Sequence, residues 1–186
     1  MFATRFHGRG GQGIVTAAEL LSVAAFIDGA HAQAFPSFGS ERTGAPVVSF
    51  CRIDDREIRL REPIAAPDAL IVQDPTLLHQ ADVFAGLVPG GTVLLNSSRD
   101  AGDLGVAEVD ARIVTVPASE LARTHLGRPL PGPALLGAFA ALTGVVSLPS
   151  VLAAVSDRFA AAPAKGNAAA AEAAHAFVMR EAMARG

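Results

Sequence analysis

The sequence predicts a single α/β domain over residues 1–186: a Rossmann-like, mostly parallel sheet flanked by helices, with an inserted β-hairpin and a helical C-terminal part. Three observations carry this. A strand, a glycine-rich turn and an apolar-faced helix follow one another without a gap between residues 2 and 27. Short apolar runs recur at 69–73, 92–95 and 113–116, each next to turn-forming residues, and beyond residue 116 only helical patterns remain.

Phe2 to His7 alternates Phe2, Thr4 and Phe6 against Ala3, Arg5 and His7, the period of a strand, and runs straight into Gly8-Arg9-Gly10-Gly11-Gln12-Gly13. From about Gly13, residues Ile14, Ala17, Ala18, Leu21, Ala24 and Ala25 recur at helical spacing, and Asp28-Gly29 closes the helix. A second strand is expected at His31 to Phe35. Pro36 to Ala45 breaks all periodicity and reads as an ordered loop. Pro46 to Ile53 and Glu57 to Leu60, separated by Asp54-Asp55-Arg56, read as the inserted hairpin, with Cys51 a small buried residue on one of its strands.

Ala69 to Gln73 is an apolar strand, followed by Asp74 as N-cap, Pro75 at the first helical position and a helix over Thr76 to Ala85. Pro89-Gly90-Gly91 makes a turn, Thr92 to Leu95 a buried strand, Asn96-Ser97-Ser98 the loop at its carboxyl end and Ile113 to Val116 a further strand. Helices are expected at Ala118 to His125, Ala134 to Val146, Ser150 to Ala162 and Gly166 to Met183.

Composition narrows the function. Fifteen basic and eighteen acidic residues leave a net charge of −3, Trp and Tyr are absent and no basic stripe exists, so nucleic acid is not expected as a partner. Although 51% of residues are hydrophobic, no apolar run approaches about 18 residues, and membrane insertion is not expected. The N-terminus shows no basic region and no hydrophobic leader pattern, so a cytoplasmic location is expected. Cys51 is the sole cysteine, which rules out thiolate zinc and Cys-ligated iron–sulfur sites within this chain. The histidines show no metal-ligand spacing, and no Gly-x-Ser-x-Gly elbow surrounds a serine; no metal or catalytic residue is assigned.

Gly8-x-Gly10-x-x-Gly13 has the spacing and the strand-to-helix context of a dinucleotide fingerprint. A tight turn at a helix N-terminus brings unpaired N–H groups toward a phosphate. Such sites also use an acidic residue at the end of the second strand to hold the ribose, whereas this strand ends in Phe35-Pro36-Ser37-Phe38. The Ser37 to Gly44 loop offers Ser40, Glu41 and Arg42, the last with a planar fork suited to phosphate or carboxylate. The glycine turn, this loop, Asp74 and Asn96 all fall at carboxyl ends of strands, where open α/β sheets gather ligands. The candidate binding residues are therefore Gly8, Gly10, Gly11, Gln12, Gly13, Ser40, Glu41, Arg42 and Asn96. Asp74 reads more simply as a helix cap, and a stand-alone Rossmann-like nucleotide-binding protein remains the alternative.

The turn Gly8 to Gly13 and the stretch Pro36 to Val47 resemble the gamma subunit, or fused gamma domain, of the pyruvate:ferredoxin and related 2-oxoacid:acceptor oxidoreductases. Arg52-Ile53 with the Asp-Asp turn, Pro67-Asp68, Asp74-Pro75, Asn96, Leu136-Gly137-Ala138 and Asn167 extend the resemblance over nearly the whole chain. Thr43 and Gly132-Pro133 depart from the family pattern. The resemblance implies an accessory subunit with no cofactor of its own, in a complex that oxidatively decarboxylates a 2-oxoacid, to an acyl-CoA. Such a complex uses thiamine diphosphate, Mg2+, [4Fe-4S] clusters and coenzyme A, with FAD in an NAD-linked variant. Its other chains would be thiamine-binding alpha and beta subunits and a ferredoxin-like delta subunit. The glycine turn and the Ser40-Glu41-Arg42 loop would then help form the passage for coenzyme A.

Overall fold

The first strand of the chain lies in the interior of the sheet. In the computed structural model, which describes residues 1–37 and 43–185, the order along the chain is β1 (Phe2–Arg9), α1 (Ile14–Ile27), β2 (His31–Pro36), β3 (Pro46–Asp54), β4 (Ala69–Val72), β5 (Gly91–Asn96), β6 (Ala111–Val116), α2 (Ala118–Leu126), α3 (Gly132–Thr143), α4 (Leu148–Arg158) and α5 (Ala161–Arg185). The six strands form one sheet in the order β2-β3-β1-β4-β5-β6. β1, β4, β5 and β6 run parallel, and β3 runs antiparallel to both β1 and β2.

The α/β plan and its helical C-terminal part agree with the sequence. Three details differ. Glu57 to Leu60 is not a strand: β3 has β1 along one edge and β2 along the other, so no ladder remains for a hairpin partner, and the antiparallel pair is β2–β3. The helix expected over Thr76 to Ala85 is reduced to a 3₁₀ turn, Pro75–His79. The last helix begins at Ala161, earlier than expected, because Pro163 sits in its first turn, where a missing N–H costs nothing.

The two faces of the sheet are closed by different means. Phe6, Cys51, Ile71, Leu94 and Val116 project into a core shared with side chains of all five helices. α3 is buried at every position from Gly132 to Ala140, and a Cβ on Gly137 would lie 2.0 Å from the Ala171 carbonyl oxygen of α5, so the two helix backbones meet through glycine. On the opposite face Leu70, Val72, Val93 and Leu95 pack against Leu77, Val83, Leu104 and Val106 from the 3₁₀ turn and the connecting loops.

Loops bury less area than helices, and buried arginines help fasten them. Arg5 Nη2 donates to the carbonyls of Val83 (3.0 Å) and Ala85 (2.6 Å), and its Nε donates to His7 Nε2 (2.9 Å). These bonds pin residues 83–85 to β1 in the non-helical course they follow after the 3₁₀ turn. Arg52, 5% exposed, donates to the Glu62 carbonyl at 2.6 Å and lies 5.3 Å from the centre of the Phe35 ring, itself stacked on Phe50. No described helix is long and apolar enough to cross a membrane.

Candidate functional site

The direction of crossover reverses between β1 and β4: α1 leaves β1 on the helical face, and the 3₁₀ turn leaves β4 on the other. The carboxyl ends of these two strands therefore open a crevice, the usual ligand position in an open α/β sheet. The glycine turn, residues 8–13, forms one side of it and Asp74 the other.

Each glycine in the turn has its own reason. A Cβ on Gly8 would lie 2.0 Å from Ile14 Cδ1, so Gly8 lets α1 pack onto β1. Gly11 (φ 90°) and Gly13 (φ 73°) adopt the left-handed conformation that other residues rarely accept. Gly10 bonds to the far side of the loop: its N–H donates to Ala45 O (2.9 Å), and its carbonyl accepts from Gly44 N–H (3.1 Å). This pairing, with a bridge between Gly10 and Thr43, fixes the residues that follow Arg42 against the turn.

Arg9, which the sequence reading passed over, is the hub of the crevice. Its Nε pairs with Asp74 Oδ2 at 3.1 Å, Nη1 donates to the Gly44 carbonyl at 3.1 Å, and Nη2 donates to Thr76 Oγ1 at 2.8 Å and Gln80 Oε1 at 2.7 Å. Gln12 braces the same carboxylate, donating from Nε2 to Asp74 Oδ2 (2.9 Å) while its Oε1 accepts from Arg9 N–H (2.8 Å). Burial alone would raise the Asp74 pKa. Hydrogen bonds from the Thr76 hydroxyl, the Gln12 amide and the Thr76 N–H, together with the Arg9 charge, outweigh it and hold the carboxyl below the ordinary aspartate range. Asp74 also caps the 3₁₀ turn, as expected. An arginine inside a glycine turn, with an aspartate ending the next parallel strand, was the available signal for this pair.

The N–H groups left over point to an anion. That of Gly10 is taken by Ala45 O and that of Gln12 by Arg9 O, and those of Gly11 and Gly13 make no hydrogen bond among the described residues. The first bond of α1 runs from Ala17 N–H to Gly13 O, so Ile14, Val15 and Thr16 have no intrahelical acceptor, and no side chain caps the helix. These groups line a cavity of about 200 Å³ with Arg9 at one side and Val47 opposite. Unpaired N–H groups and the positive end of the helix dipole give it the chemistry that would suit a phosphate-sized anion.

Asn96 stands apart from this cavity. Its Nδ2 donates to Gln73 O and Ser119 Oγ, each at 2.8 Å, and its Oδ1 accepts from Ser119 N–H at 3.0 Å, so the amide ties β4, β5 and the start of α2 together. Ser40, Glu41 and Arg42 lie outside the described residues. Of the expected residues Gly10, Gly11 and Gly13 line this cavity, Gly8 and Gln12 lie in the same turn outside its lining, and Asn96 is engaged in the framework.

The dinucleotide alternative fits this geometry poorly. β3 separates β2 from β1, which puts the end of β2 two strand spacings, about 10 Å, from the turn instead of one. Among the described residues it presents Pro36 and Ser37 there, and no acid.

Residues 3–177 match the model of the pyruvate ferredoxin/flavodoxin oxidoreductase family. The chain belongs to that family. Its relatives in this family include the pyruvate synthase subunit PorC of Methanocaldococcus jannaschii, 49% identical over 94% of this chain and 96% of the relative. The pyruvate/ketoisovalerate oxidoreductases common subunit gamma of Thermococcus litoralis is 46% identical over 92% and 94%. Among solved family members, the pyruvate oxidoreductase subunit PORC of Thermotoga maritima superposes with a TM-score of 0.83 at 32% identity, covering 94% of this chain and 95% of that one. A 2-oxoglutarate:ferredoxin oxidoreductase of Magnetococcus marinus, solved with 2-oxoglutarate, coenzyme A and succinyl-CoA, shares the fold over 31% of its length (TM-score 0.78, 17% identity). This chain and these gamma-type relatives therefore correspond over more than nine-tenths of their lengths.

Proposed function

We propose that this chain is the accessory gamma subunit of a thiamine-diphosphate-dependent 2-oxoacid:acceptor oxidoreductase, lining the coenzyme A side of an active site completed by other chains. The observation that carries the reading is the uncapped cradle at the start of α1 in a chain that matches gamma subunits over nearly their full length. Coenzyme A supplies the thiol that accepts the acyl group, and its phosphates suit the cradle. Gly11 and Gly13 with the first turn of α1 hold a phosphate through backbone N–H groups, and Arg9 adds positive charge at the rim. Gly8, Gln12 and Asn96 set the positions of the elements around it, and in this reading Ser40, Glu41 and Arg42 contribute to the same coenzyme A passage.

Thiamine diphosphate, Mg2+ and the iron–sulfur clusters belong in this reading to the alpha, beta and ferredoxin-like delta chains, with a ferredoxin or, through FAD, NAD as acceptor. The single cysteine fits this division: Cys51 is fully buried, and burial pushes its thiol up to about 12, which suits packing and not ligation.

Anaerobic purification of the tagged chain is expected to bring down thiamine-binding and iron–sulfur subunits. In that complex Gly11→Asp puts a carboxylate into open space beside the cradle, at the cost of backbone strain at φ 90°. The apparent KM for coenzyme A should rise at least tenfold, with kcat changed less than twofold and the complex intact. An unchanged KM would remove the cradle from the coenzyme A site, and a chain that purifies alone would overturn the reading as a whole.

A further inference from the structure

At the far edge of the sheet, away from the glycine turn, β6 pairs only with β5. Val116 is the residue bonded to β5, because its carbonyl accepts from Ser97 N–H and its register partner is Asn96. In a parallel ladder the bonded residues alternate, so Ile113 and Thr115 direct both their N–H and their C=O groups outward. A row of two donors and two acceptors is thereby left along this edge.

The edge does not face open solvent evenly. A cleft of about 440 Å³ runs between it and the C-terminal half of α5, with Val114, Leu142, Phe177 and Val178 as an apolar floor. Its rim carries the carboxylates of Asp100, Glu120 and Glu181. Arg112 is the one cation of the lining, and its guanidinium donates to the Leu142 carbonyl; neither Asp100 nor Glu120 forms an ion pair among the described residues. Unpaired backbone along one side, apolar surface beneath and excess negative charge at the rim are together the requirements of strand addition by a basic segment.

We infer that this groove receives an extended segment of another subunit, which adds a seventh strand along β6 and places a Lys or Arg side chain against Asp100 and Glu120. The inference rests on the reading of the chain as one subunit of a complex, and it concerns the edge of the sheet opposite β2. The occupant is apolar on the side that meets Phe177 and Val178 and basic where it passes the rim.

Hydrogen exchange of the isolated chain and of the anaerobically purified complex tests it. The segment 111–117 is expected to slow at least tenfold on assembly. Thr115→Pro removes an outward donor without touching the ladder to β5, the setting in which edge strands accept proline. This variant should keep the denaturation midpoint of the wild type and bind its partners at least tenfold more weakly. Glu120→Lys, on an exposed rim position, should weaken assembly as well, and it serves where Thr115→Pro fails to fold. Assembled complex in which 111–117 exchanges as in the free chain, or wild-type affinity in the folded variants, overturns the groove assignment while leaving the subunit reading in place. Protection of 111–117 by self-association of the isolated chain overturns it too. A wild-type chain that recruits no partner is a failure of the subunit reading itself, visible before any variant is made.

Discussion

The helical face of the sheet and the loop-covered face solve the same problem with different chemistry. On the helical face, α1, α3, α4 and α5 spread alanine, leucine and valine over the strands, and the backbones of α3 and α5 come close enough that only glycine fits at position 137. On the loop face the apolar cluster is smaller, and Arg5 and Arg52 reach from the strands to loop carbonyls. Area, which is insensitive to pH and direction, secures one face. Charge-assisted hydrogen bonds, worth more per contact but dependent on a single guanidinium, secure the other.

The contrast can be broken from either side. Gly137→Val should have the largest effect, roughly 4 kcal/mol or more of destabilisation, since its Cβ would fall inside the Ala171 carbonyl and two well-packed helices must separate. Denaturant unfolding reads this, and a loss under about 1 kcal/mol would show that the α3–α5 crossing yields easily. Arg5→Met keeps the bulk of the side chain but leaves the Val83 and Ala85 carbonyls without their donor. It should cost about 3 kcal/mol, with amide exchange faster in residues 80–88 than in the helices. Uniform acceleration over both faces would mean that the loop is not separately pinned.

Mild acid should act on the loop face through His7. Burial, then the nearby Arg5 charge, pushes His7 down from 6.5 to about 4. As pH falls the unfolded chain takes up this proton first. The contribution of neutral His7 is therefore complete above about pH 6.5 and is lost as pH falls toward 4. Between pH 7 and pH 5 the wild type should lose about 2 kcal/mol more than His7→Gln, which keeps an acceptor for Arg5 without titrating. Parallel pH–stability curves for the two proteins would show that His7 titrates normally.

The same division explains what the sequence disclosed. Elements on the helical face were legible because their burial follows a period: Ile14, Ala17, Ala18, Leu21, Ala24 and Ala25 mark one side of α1, and all are buried. The helix predicted through Ala85 and the strand at Glu57 to Leu60 failed on the loop face. There Arg5 pins loop carbonyls to β1, and β2 has taken the free edge of β3, neither of which leaves a periodic trace. At the candidate site the glycines were readable from spacing. That Gln12 turns inward to Asp74 was not, since it depends on the parallel neighbour of β1, sixty residues along the chain.

The insertion of β3 between β1 and β2 also sets an order of assembly. β1 is complete at Arg9, but its partners on the two sides are residues 46–53 and 69–72. During synthesis the first strand must leave the ribosome with both edges bare and wait until Val72 has emerged before it is enclosed. Contacts of such sequence separation are slow to form, and an unpaired interior strand is a template for the wrong neighbour. The short, glycine-rich turn that follows β1 lets α1 fold back early over its helical face, covering Phe6 while the edges wait. The turn proposed to cradle an anion in the finished subunit would thus begin its service as a guard for the newborn chain.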